Sequence, residues 1–160
     1  MLVGALALWG AGCGGDGPEE RTTGILQGTI PWSGTWPEAG YLILALFITA
    51  PWDPDYTPGP PAAFRLVSKP ANGTASFLFD NPQLAFGTYE TLILAWKDPD
   101  DTNARTNYHS VSIYGTTLEA KDQAKPLVLD PHTPDQIGLV LPEAVLYQAS
   151  AEMLAHYPSL

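Results

Sequence analysis

Short apolar runs, each closed by Pro, Gly, Asn or Asp, follow one another from residue 24 to residue 141, and no helical period recurs before the last twenty residues. That rhythm predicts strands joined by turns. A first strand spans 24–30 and stops at Pro31, which has no amide hydrogen to offer a ladder. Residues 41–49, YLILALFIT, are apolar at both parities and predict a central strand covered on both faces. Pro51, Pro54, Pro58, Pro60 and Pro61 then impose a loop. Residues 63–67 and 75–79 flank Asn72-Gly73, a dipeptide that favours a tight hairpin. Phe86-Gly87-Thr88-Tyr89 opens a second central strand that continues through 91–96 to Asp98, and shorter strands are expected at 110–114, 126–129 and 136–141. About seven to eight strands at this spacing predict an all-β, Greek-key β-sandwich. Beyond Pro142, the spacing of Val145, Ala149, Met153 and Tyr157 predicts a short C-terminal helix with one face on the sandwich, a strand over 144–148 being the alternative.

Composition agrees with this reading: 15 Gly and 16 Pro supply turns, while charged residues make up only 15% of the chain. The 7 Lys and Arg face 17 Asp and Glu, giving a net charge of −10. Such a surface cannot form the basic stripe that displaces phosphate counterions, so nucleic acid is excluded as a partner. Attraction to anionic head groups is disfavoured for the same reason. The apolar run 2–9 is too short for a membrane-spanning helix but fits the core of a signal peptide.

That run ends in Gly10-Ala11-Gly12 directly before Cys13, the single cysteine, and Gly14-Gly15-Asp16-Gly17-Pro18-Glu19-Glu20 follows. The arrangement resembles the lipobox of bacterial lipoprotein signal peptides. The resemblance implies cleavage before Cys13, a diacylglyceryl group on its thiol, and a membrane partner reached through lipid. Two or more acyl chains hold a protein stably, because each buried methylene contributes about 0.8 kcal/mol. Residues 1–12 are then a signal peptide, 13–23 a lipidated cysteine and flexible tether, 24–142 the sandwich, and 143–160 a tail expected to be helical. Further on, Gly24-x-Leu26-x-Gly28-x-Ile30, Phe77-x-Phe79-Asp80 and Phe86-Gly87-Thr88-Tyr89 with its long apolar strand resemble the carboxypeptidase regulatory-like domains. This resemblance covers residues 24–115 and implies a transthyretin-like fold in an accessory module without catalysis of its own. The segment Gly34-Thr35-Trp36-Pro37 is also similar to uncharacterised bacterial envelope lipoproteins. Together these resemblances imply a location in the bacterial cell envelope, and Asp16, Glu19 and Glu20 shortly after the cysteine resemble the acidic residues that favour the outer membrane or cell surface.

The polar residues offer little chemistry. His109, His132 and His156 lie far apart, without a His-Glu-x-x-His run, paired cysteines or a Gly-x-Ser-x-Gly elbow, and read as loop or surface residues. No catalytic residue is assigned, and no cofactor is expected apart from a candidate calcium ion. For calcium, Asp98, Asp100, Asp101 and Asn103 supply oxygens after a strand, against the simpler reading of a solvated Asp-Pro-Asp turn. Trp32 and Trp36 are the candidate ligand-binding pair, because loop aromatics stack on sugars or anchor a partner; the simpler reading is that they cap the core. If each strand crosses the sandwich once, loop 31–39 shares an end with loop 98–109, while Trp52, Asp53, Asp55 and Tyr56 lie at the other. Asn72-Gly73-Thr74 also matches a glycosylation pattern that its place in a turn explains. The leading expectation is a non-enzymatic, lipid-anchored envelope protein that meets another envelope protein. The rivals are a glycan-binding lipoprotein and an enzyme with a dispersed site.

Overall fold

Ten strands, one turn of 3₁₀ helix and one α-helix form the regular elements of the computed structural model, which describes residues 20–57, 59–70 and 72–160. Strand β1 (Thr23–Gly34) organises the first sheet. Along one edge β4 (Thr74–Ala85) runs antiparallel to it, and along the other β9 (Asp135–Val140) and then β10 (Ala144–Leu146) run parallel. The second sheet has the order β3-β2-β6-β7 and is antiparallel throughout, with β2 at Tyr41–Phe47, β3 at Ala63–Val67, β6 at Thr91–Lys97 and β7 at Tyr108–Ile113. A ribbon of β5 (Gly87–Tyr89) and β8 (Leu127–Leu129) adds Tyr89, Leu127 and Leu129 to the core. The protein is an all-β sandwich carrying a single short C-terminal helix, α1 (Ser150–His156), among the described residues.

The two apolar runs become the paired central strands, and their parity divides the core in two. Leu42, Leu44 and Leu46 of β2, with Leu92, Leu94 and Trp96 of β6, point inward against Leu26 and Ile30 of β1 and Phe77 and Phe79 of β4. The alternate residues Ile43, Ala45, Phe47, Ile93 and Ala95 form a second cluster on the outer face, covered in part by Trp52, Tyr56, Leu118 and Leu160. Each fully buried Leu or Ile contributes about 1.5–3 kcal/mol, so both faces of the sheet are held by apolar burial. Trp96 is wholly buried and its indole N–H donates to the Ala39 carbonyl at 3.1 Å, satisfying the polar edge of the ring.

Four expectations change. Pro31 does not end the first strand; β1 continues to Gly34. The Trp32 amide donates to Gly73 on the β4 side, and Thr29 accepts from Leu141 on the β9 side, so position 31 faces the gap where β9 gives way to β10. A missing N–H is tolerated there because no ladder bond is due. The Asn72-Gly73 hairpin does not form either. β3 pairs with β2 and β4 pairs with β1, so the segment between them crosses from one sheet to the other, and Gly73 lacks the positive φ that a tight hairpin requires.

The run from Phe86 to Asp98 is two strands in different sheets, β5 and β6, broken at the exposed Glu90. The C-terminal tail begins as strand β10 and only then becomes α1, so Val145 is exposed while Met153 and Tyr157 are buried. With these splits, the strands among the described residues number ten rather than seven or eight. Residues past α1 also join the second sheet: Pro158 accepts from the Ser110 amide at 3.0 Å, and the Leu160 amide donates to Tyr108 at 2.9 Å.

Candidate functional site

Loops 34–40 and 98–107 share one end of the sandwich, as the bond from Trp96 to Ala39 and the pairing of Tyr41 with Lys97 require. Gly34 and Gly40 give the first loop its shape, with φ of 83° and 74°. A Cβ on Gly34 would lie 2.1 Å from the Leu146 carbonyl oxygen, and one on Gly40 would lie 2.2 Å from that of Lys97, so neither position accepts a side chain without displacement. Thr35 and Glu38 donate their amides to Leu146 and Gln148, tying the loop to the strand end of β10.

Trp32 and Trp36 meet within this framework at a centroid distance of 5.5 Å and an interplanar angle of 79°. Both are half-buried against the main core. The two rings are therefore not coplanar and do not form one flat platform for a sugar. Among the described residues the buried Trp32 indole nitrogen has no hydrogen-bond partner.

In the neighbouring loop the acidic oxygens hold the backbone. Asp98, 5% exposed, accepts from the Asp100 amide at 2.9 Å. Asp101 accepts from the Asn103 amide at 2.7 Å and from the Thr106 hydroxyl at 2.6 Å, and Asn103 accepts from the Arg105 amide at 3.1 Å. The Thr106 hydroxyl, followed by the Asn103 amide, holds the Asp101 carboxyl below the ordinary aspartate range. Among the described residues no three His, Cys, Asp or Glu side chains gather as a metal site. The tryptophans and aspartates share an end as parity requires, yet no hydrogen bond or ring contact joins them among the described residues. Cys13 lies outside the described residues.

The histidines are apart. His109 is not at the surface: it is buried on β7, with Nδ1 at 3.1 Å from the Tyr157 carbonyl and its ring 5.8 Å from Trp96. The exposed His132 donates its amide to Asp130 at 2.7 Å, and the exposed His156 stacks on Tyr147 at 4.2 Å.

At the opposite end lies a cleft of about 420 Å³ that the sequence pattern did not bring together. Trp52 and Asp53 come from the loop after β2, Thr88 and Glu90 from the β5–β6 junction, and Lys121 and Asp122 from the 3₁₀ turn. The ammonium of Lys121 stands 5.6 Å from the Trp52 ring centre. Trp52 was visible as a loop aromatic, but residues 121–122 carry no local signal that would place them opposite it.

Compared with protein-family models, curated proteins and solved structures, the chain finds no match.

Proposed function

We propose that this chain is a lipid-anchored cell-envelope protein whose acidic sandwich serves as a non-enzymatic accessory or interaction module. The observation that carries the reading is Cys13 itself, the single cysteine, preceded by an uncharged apolar segment ending in Gly-Ala-Gly and followed by a Gly-rich acidic spacer. The resemblance to carboxypeptidase regulatory-like, transthyretin-like domains supports the accessory role. So does the use of the acidic side chains of loop 98–107 to cap turns, which leaves that loop a shaped surface.

The tether's point of entry favours one end of the sandwich facing the membrane. Residues 14–22 separate Cys13 from β1, so the strand begins within roughly 35 Å of the bilayer even if that tether is fully extended. Thr22 accepts from the Phe86 amide, just before β5, so the chain enters at the end that holds the cleft. Loops 34–40 and 98–107 then project away from the membrane, where an envelope partner would meet them. A net charge of −10 opposes the domain lying flat on anionic head groups.

The test is fractionation in a bacterial host competent for lipoprotein processing. The wild-type chain should remain with membranes, start at Cys13 and carry the mass of its acyl chains, whereas Cys13→Ser should appear in soluble fractions. An unmodified Cys13 on an intact N-terminus would overturn the proposal.

A further inference from the structure

We propose that the cleft beside Trp52 binds a neutral saccharide of one or two rings. This rests on the cleft alone and stands whether or not Cys13 is lipidated. Its volume, about 420 Å³, lies within the range of small-molecule sites, about 300–1,000 Å³.

The walls are fixed before any ligand arrives. On one side Ala50 donates its amide to Glu90 at 3.0 Å, Asp53 donates to the Ala50 carbonyl at 2.9 Å, and Asp55 donates to the Asp53 carboxylate at 2.8 Å. Tyr56 buttresses the same loop by meeting Phe47 edge to face at 6.3 Å. On the other side the 3₁₀ turn closes with Ala124 donating to Lys121 at 3.0 Å, and Thr116 donates its hydroxyl to Ala120 at 2.6 Å.

Charge and shape select the ligand class. Three carboxylates, Asp53, Glu90 and Asp122, face one ammonium, Lys121, which opposes an anion. The Lys121 ammonium, 5.6 Å from the Trp52 ring centre, keeps a positive charge in the cleft wherever its side chain turns, which opposes a ligand cation. The four charged side chains in an otherwise mixed lining oppose a purely apolar guest. What fits is an uncharged molecule with a C–H face for the indole and hydroxyls that donate to carboxylates and accept from an ammonium. A sugar ring has both, and the exposed Lys121 can swing from the indole to the ligand's oxygens.

The experiment titrates the full chain with N-acetylglucosamine and maltose, and in parallel with tetramethylammonium and inorganic phosphate, following amide and indole NMR shifts. The expected result is saturable shifts at Trp52, Lys121 and Asp122 with at least one sugar at millimolar concentration. Trp52→Ala should weaken that binding about tenfold, as should Asp122→Ala, while Trp36→Ala leaves it unchanged. Because Trp52 also covers the outer core, Asp122→Ala, on an exposed turn, keeps the test decisive if Trp52→Ala fails to fold. No shift with either sugar, shifts centred on Trp32 and Trp36, or cleft shifts with only the cation or the phosphate would overturn the proposal.

Discussion

Leu44→Ala and Ile93→Ala test the two-sided reading of the second sheet, because the residues sit on adjacent central strands but point to opposite faces. Leu44 is fully buried in the inner core, opposite Leu94 on β6. Truncating it removes roughly three buried carbons at about 0.8 kcal/mol each, or about 2.4 kcal/mol of transfer free energy. The rigid layer between the sheets cannot close over the gap, so a residual cavity adds about 1–2 kcal/mol. The total of about 3.4–4.4 kcal/mol should lower the melting midpoint by roughly 7–18 °C for a chain of this size. Ile93 is equally buried, yet its cluster is roofed partly by loop residues such as Trp52 and Leu118, which can settle inward. Its cost should stay near the transfer term, about 2–3 kcal/mol. Urea unfolding of both variants, with thermal melts by circular dichroism, measures the pair. Two negligible losses would refute the proposed core, and a larger loss at Ile93 would refute the assignment of the inner layer.

Gly34→Ala should cost at least about 1–3 kcal/mol in urea unfolding, since φ of 83° and the Leu146 carbonyl both oppose a Cβ; an unchanged midpoint would contradict the loop geometry. Melting midpoints in millimolar calcium and in chelator, at matched ionic strength, should coincide, because Asp98 and Asp101 already serve their own loop; a clear rise with calcium would assign an ion to Asp98, Asp100, Asp101 and Asn103. Acid should destabilise the fold. The carboxyls of Asp101, Asp130 and Asp135 are held below 3.8 chiefly by Thr106, the Thr133 amide and Arg21 respectively. The folded chain therefore binds fewer protons than the unfolded one; this stability is complete above the ordinary value and is lost as pH falls through the lowered ones. A midpoint that stays level down to about pH 5 and drops below pH 4 is expected, whereas one that rises on acidification would contradict the assignment.

The elements legible in the sequence were those whose burial is complete. β2 and β6 are apolar at both parities because both faces of their sheet are covered, and that pattern needs no knowledge of partners. Strand pairing was less legible. Asn72-Gly73 signals a turn, but whether the flanking strands then pair depends on β2 and β1 competing for them, and those contacts are distant in the chain. Pro31 misled because its cost depends on which side its missing amide faces. In the tail both readings are realised in turn, β10 within the alternative strand and α1 as the expected short helix, because apolar residues four apart satisfy a strand and a following helix as readily as one helix. At the candidate sites, parity placed the loops at the correct ends. It could not give the edge-to-face angle of Trp32 and Trp36, or bring Lys121 to Trp52.

The position of β1 sets the tempo of assembly. One edge of this strand is completed by β4, but the other waits for β9 and β10, and the Ile25 amide reaches Asp135 across 110 residues of chain. Contacts of such separation carry a large loop-closure cost before they bring any gain, which slows the search for the native pairing. While the chain is being made, β1 presents an open row of amides and carbonyls until the last third arrives. Any factor that shields β1 during that interval should raise the yield of folded protein more than one acting on β6 and β7, which pair with each other locally.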